Sequence, residues 1–195
     1  TFTDTNTGCS STVTATVVVT LQPEVKPIST TAPAGFNACI GGTLQLTDAT
    51  SGGTWKSLNG AIATISASGL VTGLSAGTVD ITYSILTSCG EPAADTVTIT
   101  VNAAPSATIA YAGPYCTNGG TIALTTHTGT LGGTYSISPT TGGVSIDPVT
   151  GTITPGTTGG VYTVTYTVAA SGGCSIYTAT APVTITTAPS GTVSY

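Results

Sequence analysis

Charge is nearly absent from this sequence. Its 195 residues include only seven Asp or Glu and two lysines, Lys26 and Lys56, and arginine does not occur. Nucleic-acid binding depends on clustered basic side chains that displace counterions from phosphates. The composition therefore excludes a nucleic-acid partner, and it predicts a neutral surface that is wetted by hydroxyl groups.

Long apolar runs are missing too. A membrane-spanning helix needs about 20 consecutive apolar residues, whereas the three valines at 17–19 are flanked by threonines, so we expect no membrane insertion in this segment. Disorder is not expected either, because disordered chains combine low hydrophobicity with high net charge and 39% of this chain is hydrophobic. Residues 1–10 are mostly polar, so we expect no signal peptide in them, and we expect the chain to be cut from a longer protein.

The residues that are abundant favour strands and turns. β-branched side chains pack well on a pleated sheet, and glycine, proline and serine supply turns. Apolar and polar residues alternate strictly at 79–85, 96–101 and 162–168, which is the pattern of a strand with one buried face. The sequence therefore predicts an all-β chain in which antiparallel sheets pack face to face.

The sequence repeats itself with a shift of 80 to 85 residues. Gly-Gly-Thr-Trp at 52–55 returns as Gly-Gly-Thr-Tyr at 132–135, and the Pro-Ser segment at 105–111 returns at 189–195. A small β-sandwich typically has about 100 residues, so each repeat is large enough for a core of its own. We predict the tail of one repeat at 1–21, complete repeats at 22–102 and 103–187, and the first strand of another at 188–195.

Five cysteines follow the repeats. Each complete repeat has one early and one late cysteine, so we predict one disulfide per repeat, Cys39–Cys89 and Cys116–Cys174. Cys9 matches the late members, and we expect its partner to lie upstream of this sequence. In the chain-entropy model, loops of about 50 residues each contribute about 4 kcal/mol. Because such bridges persist in oxidising compartments, we predict an extracellular protein.

Part of the first complete repeat resembles the bacterial immunoglobulin-like domains of group 2, the invasin and intimin type. The resemblance rests on Trp-Lys-Ser at 55–57, Ile-Ala-Thr-Ile-Ser at 62–66 and the run from glycine to tyrosine at 69–83. Residues 143–153 carry a related pattern in the next repeat. The resemblance implies tandem immunoglobulin-like sandwiches in an extracellular stalk on the bacterial cell surface, similar to giant adhesins and gliding-motility proteins of Bacteroidota.

Five side chains are candidates for a specific role. Trp55 and Tyr83 in one repeat, and Tyr135 and Tyr166 in the next, are predicted core aromatics, because large rings fill the centre of a sandwich. Sugar stacking at the surface is the alternative for Trp55 and Tyr135. Thr96 follows an aspartate and precedes a valine, which matches a short O-glycosylation pattern known from Bacteroidota, although the start of a strand would look the same.

Patterns for catalysis and metal binding are missing. His127 is the sole histidine and lies in a polar run, so we expect an exposed loop or strand residue rather than the base of a nucleophilic triad. The seven acids are thinly spread, whereas glycoside hydrolysis needs two close carboxylates. No Cys-x-x-Cys pair supports zinc, and residues 101–106 offer no carboxylate for junction calcium. We predict no enzyme, no metal and no cofactor.

Three functions fit these observations. The leading hypothesis is a structural stalk that spaces a functional tip from the cell, with neighbouring repeats of the same long chain as partners. The second is a subunit of a self-assembling fibre, in which terminal strands pair with identical chains by strand addition. The third is a module that binds glycans or surfaces through exposed tyrosine and threonine, with ice binding as a variant.

Overall fold

The computed structural model describes residues 2–3, 10–11, 24–87 and 90–191, and nearly all regular structure in them is strand. Two short strands, β1 (Phe2–Thr3) and β2 (Ser10–Ser11), pair antiparallel ahead of two larger units. No helix in the described ranges is long and apolar enough to cross a membrane.

The first unit contains seven strands in two sheets. They are β3 (Asn37–Cys39), β4 (Thr43–Gln45), β5 (Thr54–Ser57), β6 (Ala63–Ile65), β7 (Leu70–Gly73), β8 (Gly77–Leu86) and β9 (Pro92–Asn102). One sheet has the order β3-β9-β8-β5, and the other has the order β4-β7-β6. β3 runs parallel to the last residues of β9, whereas β8 and β9 form a long antiparallel hairpin.

The second unit has the same principal sheet. Its strands are β10 (Ala107–Ala110), β11 (Tyr115–Cys116), β12 (Thr126–Gly129), β13 (Thr134–Ser138), β14 (Ser145–Ile146), β15 (Ile153–Thr154), β16 (Gly160–Val168) and β17 (Tyr177–Thr186), with a 3₁₀ helix at Thr141–Gly143. The order β11-β17-β16-β13 matches β3-β9-β8-β5, and β11 again runs parallel to the end of its neighbour. β10 pairs with β12, and β14 pairs with β15.

Each unit has a core of its own, built from alternate residues of its central hairpin. In β8 the buried residues are Val79, Ile81, Tyr83 and Ile85, which confirms the alternation predicted for this segment. In β16 they are Tyr162, Val164 and Tyr166. Burying one such side chain stabilises the fold by about 1.5–3 kcal/mol. The chain is therefore all-β and immunoglobulin-like, as predicted, with two separately packed sandwich units.

A tyrosine fastens the same loop in both units. The Tyr83 hydroxyl donates a hydrogen bond to the Thr50 carbonyl oxygen (2.6 Å) and accepts one from the Gly53 N–H (2.9 Å). In the second unit, the Tyr166 hydroxyl bonds the Thr130 carbonyl oxygen (3.0 Å) and the Gly133 N–H (2.7 Å) in the same way. A Cβ atom added at Gly133 would lie 2.5 Å from the Tyr166 ring. This close approach explains why glycine precedes the Thr-Trp and Thr-Tyr pairs in both repeats.

Replacing the hydroxyl of this tyrosine should destabilise the unit that contains it. We expect Tyr83→Phe to lower the free energy of unfolding by about 1–3 kcal/mol, because two partly buried backbone groups lose their partner. Urea denaturation followed by Trp55 fluorescence measures this loss, since Trp55 is the sole tryptophan. Tyr166→Phe removes the equivalent hydroxyl from the second unit and should leave the Trp55 transition in place. A Tyr83→Phe variant as stable as the wild type would contradict the assignment.

Candidate functional site

The connection between β16 and β17 ends in a tight β-turn. Ser171 and Cys174 bond each other through both backbone groups, at 3.2 and 2.9 Å. The two residues between them, Gly172 and Gly173, have φ angles of +56° and +79°. Two positive φ angles define the type I′ turn that fits the twist of a hairpin, and glycine adopts them without strain. The turn holds Cys174 at the tip of the hairpin.

This hairpin tip is fastened to the first unit by a disulfide between Cys39 and Cys174, with the two Cα atoms 4.7 Å apart. The Asn102 side-chain amide donates a hydrogen bond to the Gly172 carbonyl oxygen at 2.8 Å. The sulfur of Cys174 lies 3.5 Å from the Ala103 carbonyl oxygen. The hairpin therefore rests on the end of the first unit where β3 and β9 run side by side.

Both glycines of the turn touch the first unit closely. A Cβ atom added at Gly173 would lie 2.6 Å from the Asn37 carbonyl oxygen and 2.8 Å from the Ala38 Cα atom. One added at Gly172 would lie 2.7 Å from the Asn102 amide nitrogen. A side chain at Gly173 would meet backbone atoms that cannot turn away. The Gly-Gly pair thus serves both the turn and the contact between the units.

The cysteines of the junction are shielded from solvent, and 8% of each is exposed. Beside the hairpin lies an open groove of about 590 Å³, lined by residues 32–34, Asn37, residues 43–44 and residues 170–175. None of these residues is charged. The groove offers no acid or base for catalysis, and in the described part of the chain no three His, Cys, Asp or Glu side chains cluster as metal ligands would.

The observed disulfide corrects the predicted pairs Cys39–Cys89 and Cys116–Cys174. Cys116 lies opposite Thr186 at the end of β17, whereas Cys174 precedes the start of that strand. At about 3.3 Å per residue, the ten residues of β17 separate these two cysteines by roughly 30 Å. Cys116 is instead an exposed free thiol. Among the described cysteines, the disulfide joins the two units and does not lie within either of them.

In the first unit, Cys39 lies at the end of β9 in the same way as Cys116 lies at the end of β17. It lies opposite Asn102 at the end of β9, and the sequence places Cys89 before the start of that strand at Pro92. Cys9 and Cys89 fall outside the described residues. The early cysteine of the first unit is therefore at the end that faces the second unit.

A substitution at the tip of the hairpin should disfavour the disulfide. We expect Gly173→Ala to lower the equilibrium constant for closing Cys39–Cys174 in a glutathione buffer by about tenfold or more, since overpacking costs about 1–3 kcal/mol. Gly143→Ala is the matched control, because Gly143 has the same φ of +79° but open space around it. If both variants close the bond equally well, contact with Asn37 does not require the glycine.

The predicted core aromatics occupy different depths. Tyr83, Tyr135 and Tyr166 are buried, whereas Trp55 is half-buried at the edge of the first core. The Trp55 ring packs against Tyr83 with centroids 4.6 Å apart, and Tyr135 packs against Tyr166 at 4.7 Å. Burial, and then the neighbouring Tyr166, raises the pKa of Tyr135. Each unit thus has one aromatic pair between an outer strand and the central hairpin.

His127 and Thr96 have different surroundings from each other. His127 lies on β12, half-buried rather than exposed as expected, with its Nδ1 atom 2.7 Å from the Tyr135 hydroxyl. The nearby rings of Tyr135 and Tyr166 give this histidine a packing role that its polar neighbours in the sequence did not indicate. Thr96 is exposed on β9, with its hydroxyl 3.3 Å from that of Thr82. Its glycosylation stays a prediction.

The fold and the junction define an all-β protein of immunoglobulin-like units in which a disulfide joins one unit to the next. The family model of the bacterial Ig-like domain (group 2) matches residues 18–84. The resemblance predicted from the sequence is confirmed for that segment, which makes up about a third of the chain. A comparison with curated proteins gave no match.

Several solved structures are distantly similar. Domains 4 and 5 of the S-layer protein SbsC are 19% identical, cover 84% of this chain and 99% of theirs, and give a TM-score of 0.38. A C-terminal fragment of intimin, solved with the intimin-binding domain of its translocated receptor, is 14% identical over 82% of this chain and 63% of its own, at 0.49. Mouse cadherin-23 EC22-24 is 15% identical over 86% and 67%, at 0.31. At these identities and TM-scores no conclusion is drawn from the similarity.

The family match and the disulfide together indicate an extracellular structural or adhesive module. Disulfides persist where the environment is oxidising, and the cysteines of this junction are bonded and shielded.

Proposed function

We propose that this chain is a segment of a stalk on the bacterial cell surface, in which tandem immunoglobulin-like repeats are joined end to end and fastened across their junction by a disulfide. The observation that carries the proposal is the Cys39–Cys174 bond, which links one sandwich to the tip of the next. The repeats of this stalk are those predicted at 22–102 and 103–187. The partners of each repeat are its neighbours in the same long chain, and we propose neither an enzymatic activity nor a cofactor.

The position of the disulfide suits a load-bearing role. It closes a loop of 135 residues that includes most of both units. A force applied to the two ends of the chain passes from Cys39 directly to Cys174, so the residues between them carry no extending load. Each unit can then lose its structure without lengthening the stalk by the length of its chain.

The surface of the stalk is covered by neutral hydroxyl groups. On the outer face of β8 and β9, Thr82 and Thr96 face each other, and Thr98 donates a hydrogen bond to the Asp80 carboxylate at 2.7 Å. With so few charges, long-range electrostatic interactions are small and salt has little to screen. Such a surface keeps its properties when the ionic strength outside the cell changes.

Pulling on single molecules tests the mechanical role. When both chains are pulled by residues near their ends, the wild type should extend about 470 Å less than a Cys39→Ser variant. This difference corresponds to the 135 residues of the closed loop at about 3.5 Å each. Cys116→Ser is the matched control and should extend like the wild type, because Cys116 is unbonded. Equal extension of the wild type and the Cys39→Ser variant would contradict the proposal.

Sedimentation separates the stalk from the self-assembling fibre. The stalk predicts a monomer over a wide range of concentration, because its junctions lie within one chain. Growth of the sedimenting species with concentration would favour the fibre subunit instead.

A further inference from the structure

The cysteine at the far end of the second unit occupies the same backbone setting as Cys39. Cys39 lies opposite Asn102 and Cys116 lies opposite Thr186, each on a short strand parallel to the end of a long one. The next residue donates its N–H to that opposite residue in both units, at 3.0 and 2.9 Å. A glycine three residues after each cysteine donates its N–H to the cysteine carbonyl oxygen, at 2.9 and 3.0 Å.

The two settings differ in what covers them. Cys39 is 8% exposed because the hairpin tip around Cys174 rests on it, and its sulfur is bonded. Cys116 is exposed, and its thiol is free. The face around Cys116 is therefore equivalent to the face around Cys39, on which a hairpin is already docked.

The chain leaves both faces with the same sequence pattern. Ala-Ala-Pro-Ser at 103–106 follows β9 and leads into β10, and Thr-Ala-Pro-Ser at 187–190 follows β17. The match continues through residue 195, which corresponds to Tyr111. A unit that follows β17 would thus start from the same place relative to Cys116 as the second unit does relative to Cys39.

We propose that the face around Cys116 binds the cysteine-bearing hairpin of a third immunoglobulin-like repeat and forms a disulfide with it. This inference rests on the proposed stalk and extends it, since it makes the junction disulfide a periodic feature. The two protein thiols lose their protons and form the new disulfide. A second disulfide acts as the oxidant, takes up the two electrons and two protons, and is released as two thiols. The occupant is a Gly-Gly-Cys hairpin, because the Cys39 face already accepts one.

The second junction would contain one hydrogen bond fewer than the first. Asn102 donates its amide to the hairpin at 2.8 Å, but Thr186 replaces it and already donates its hydroxyl to the Tyr115 carbonyl oxygen at 2.9 Å. The disulfide would therefore contribute a larger share of the stability of that junction.

A chain with one added repeat tests this inference. Residues 108–191 are copied in frame after Gly191, and Cys9 and Cys89 are replaced by serine throughout. The added copy carries Cys116→Ser, and Ser175→Thr marks its hairpin cysteine by mass. After oxidation by a glutathione disulfide buffer, unreduced peptide mapping should show Cys116 linked to the marked hairpin, with loss of alkylation at Cys116. A further variant with Gly173→Ala in the added copy should form less of this bond.

The first junction in the same molecule serves as the internal control. If Cys39–Cys174 forms but Cys116 and the marked cysteine both stay alkylated, the inference is overturned while the proposed stalk stands. An added copy that does not fold overturns the inference too. Its sequence is that of the second unit, and it follows the same kind of linker as the second unit does. If Cys39–Cys174 also fails to form, the proposed function itself is wrong.

Discussion

Replacing either cysteine of the junction with serine is expected to destabilise the first unit by about 4 kcal/mol. While the second unit stays folded, the disulfide anchors both ends of residues 39–102, a loop of 63 residues (102 − 39). The chain-entropy model gives about 4 kcal/mol for a loop of this size and about 5 kcal/mol for the full 135 residues. The loss arises because the unfolded chain gains conformations, so it should appear even though the core is unchanged.

Urea denaturation followed by Trp55 fluorescence measures this loss in the unit that contains the tryptophan. Cys39→Ser, Cys174→Ser and the double variant should lose the same amount, because all three remove one bond and their effects cannot add. Cys116→Ser should unfold with the wild-type midpoint, since its thiol is free and exposed. A stable Cys174→Ser variant with a wild-type midpoint would show that the units are not constrained by this bond.

Truncating the central hairpin of the first core is expected to have a similarly large effect. Ile81 is fully buried on β8, and Ile81→Ala should cost about 2–5 kcal/mol through lost burial and the cavity left behind. The packing of a sandwich cannot collapse freely around this position, because strands hold it on both sides in the order β9-β8-β5.

Two variants locate the origin of that effect. Leu86→Ala removes an equally large but exposed side chain from the same strand, where 78% of Leu86 is exposed, and should change stability by less than about 0.5 kcal/mol. Val164→Ala makes the corresponding truncation in the second unit, where Val164 is fully buried, and should leave the Trp55 transition near its wild-type midpoint. A large shift in Trp55 fluorescence with Val164→Ala would mean that the two cores unfold as one.

The sequence predicted the central hairpins well, because period-two alternation reports directly which face of a strand is buried. The alternation at 79–85 places the buried residues of β8 correctly, and the repeated Gly-Gly-Thr pattern marks the loop that Tyr83 and Tyr166 fasten. The depth of Trp55 was less accessible. Its size favours a central position, but Trp55 on the edge strand β5 is only half-buried. Tyr135 lies on the equivalent edge strand β13 and is buried, with His127 packed beside it.

The pairing of the cysteines could not be read from their spacing. An early and a late cysteine in each repeat fit a bond within that repeat. The parallel pairing of β3 with β9, however, places Cys39 beside Asn102, at the end of β9 that is far from its connection to β8. That pairing links residues 60 or more apart, and a repeat pattern carries no information on which end of a unit contacts the next. The Ser-Gly-Gly-Cys turn was the usable signal, since it holds a cysteine at the tip of a hairpin.

The identity of the bonded cysteines decides whether the two units are fastened to each other. The test is unreduced peptide mapping of the whole chain by mass spectrometry, after alkylation of free thiols and digestion with a protease of broad specificity. We predict one peptide pair that joins Cys39 to Cys174, together with an alkylated Cys116. Peptide pairs that join Cys39 to Cys89 and Cys116 to Cys174 would contradict the junction, since each unit would then be stapled to itself.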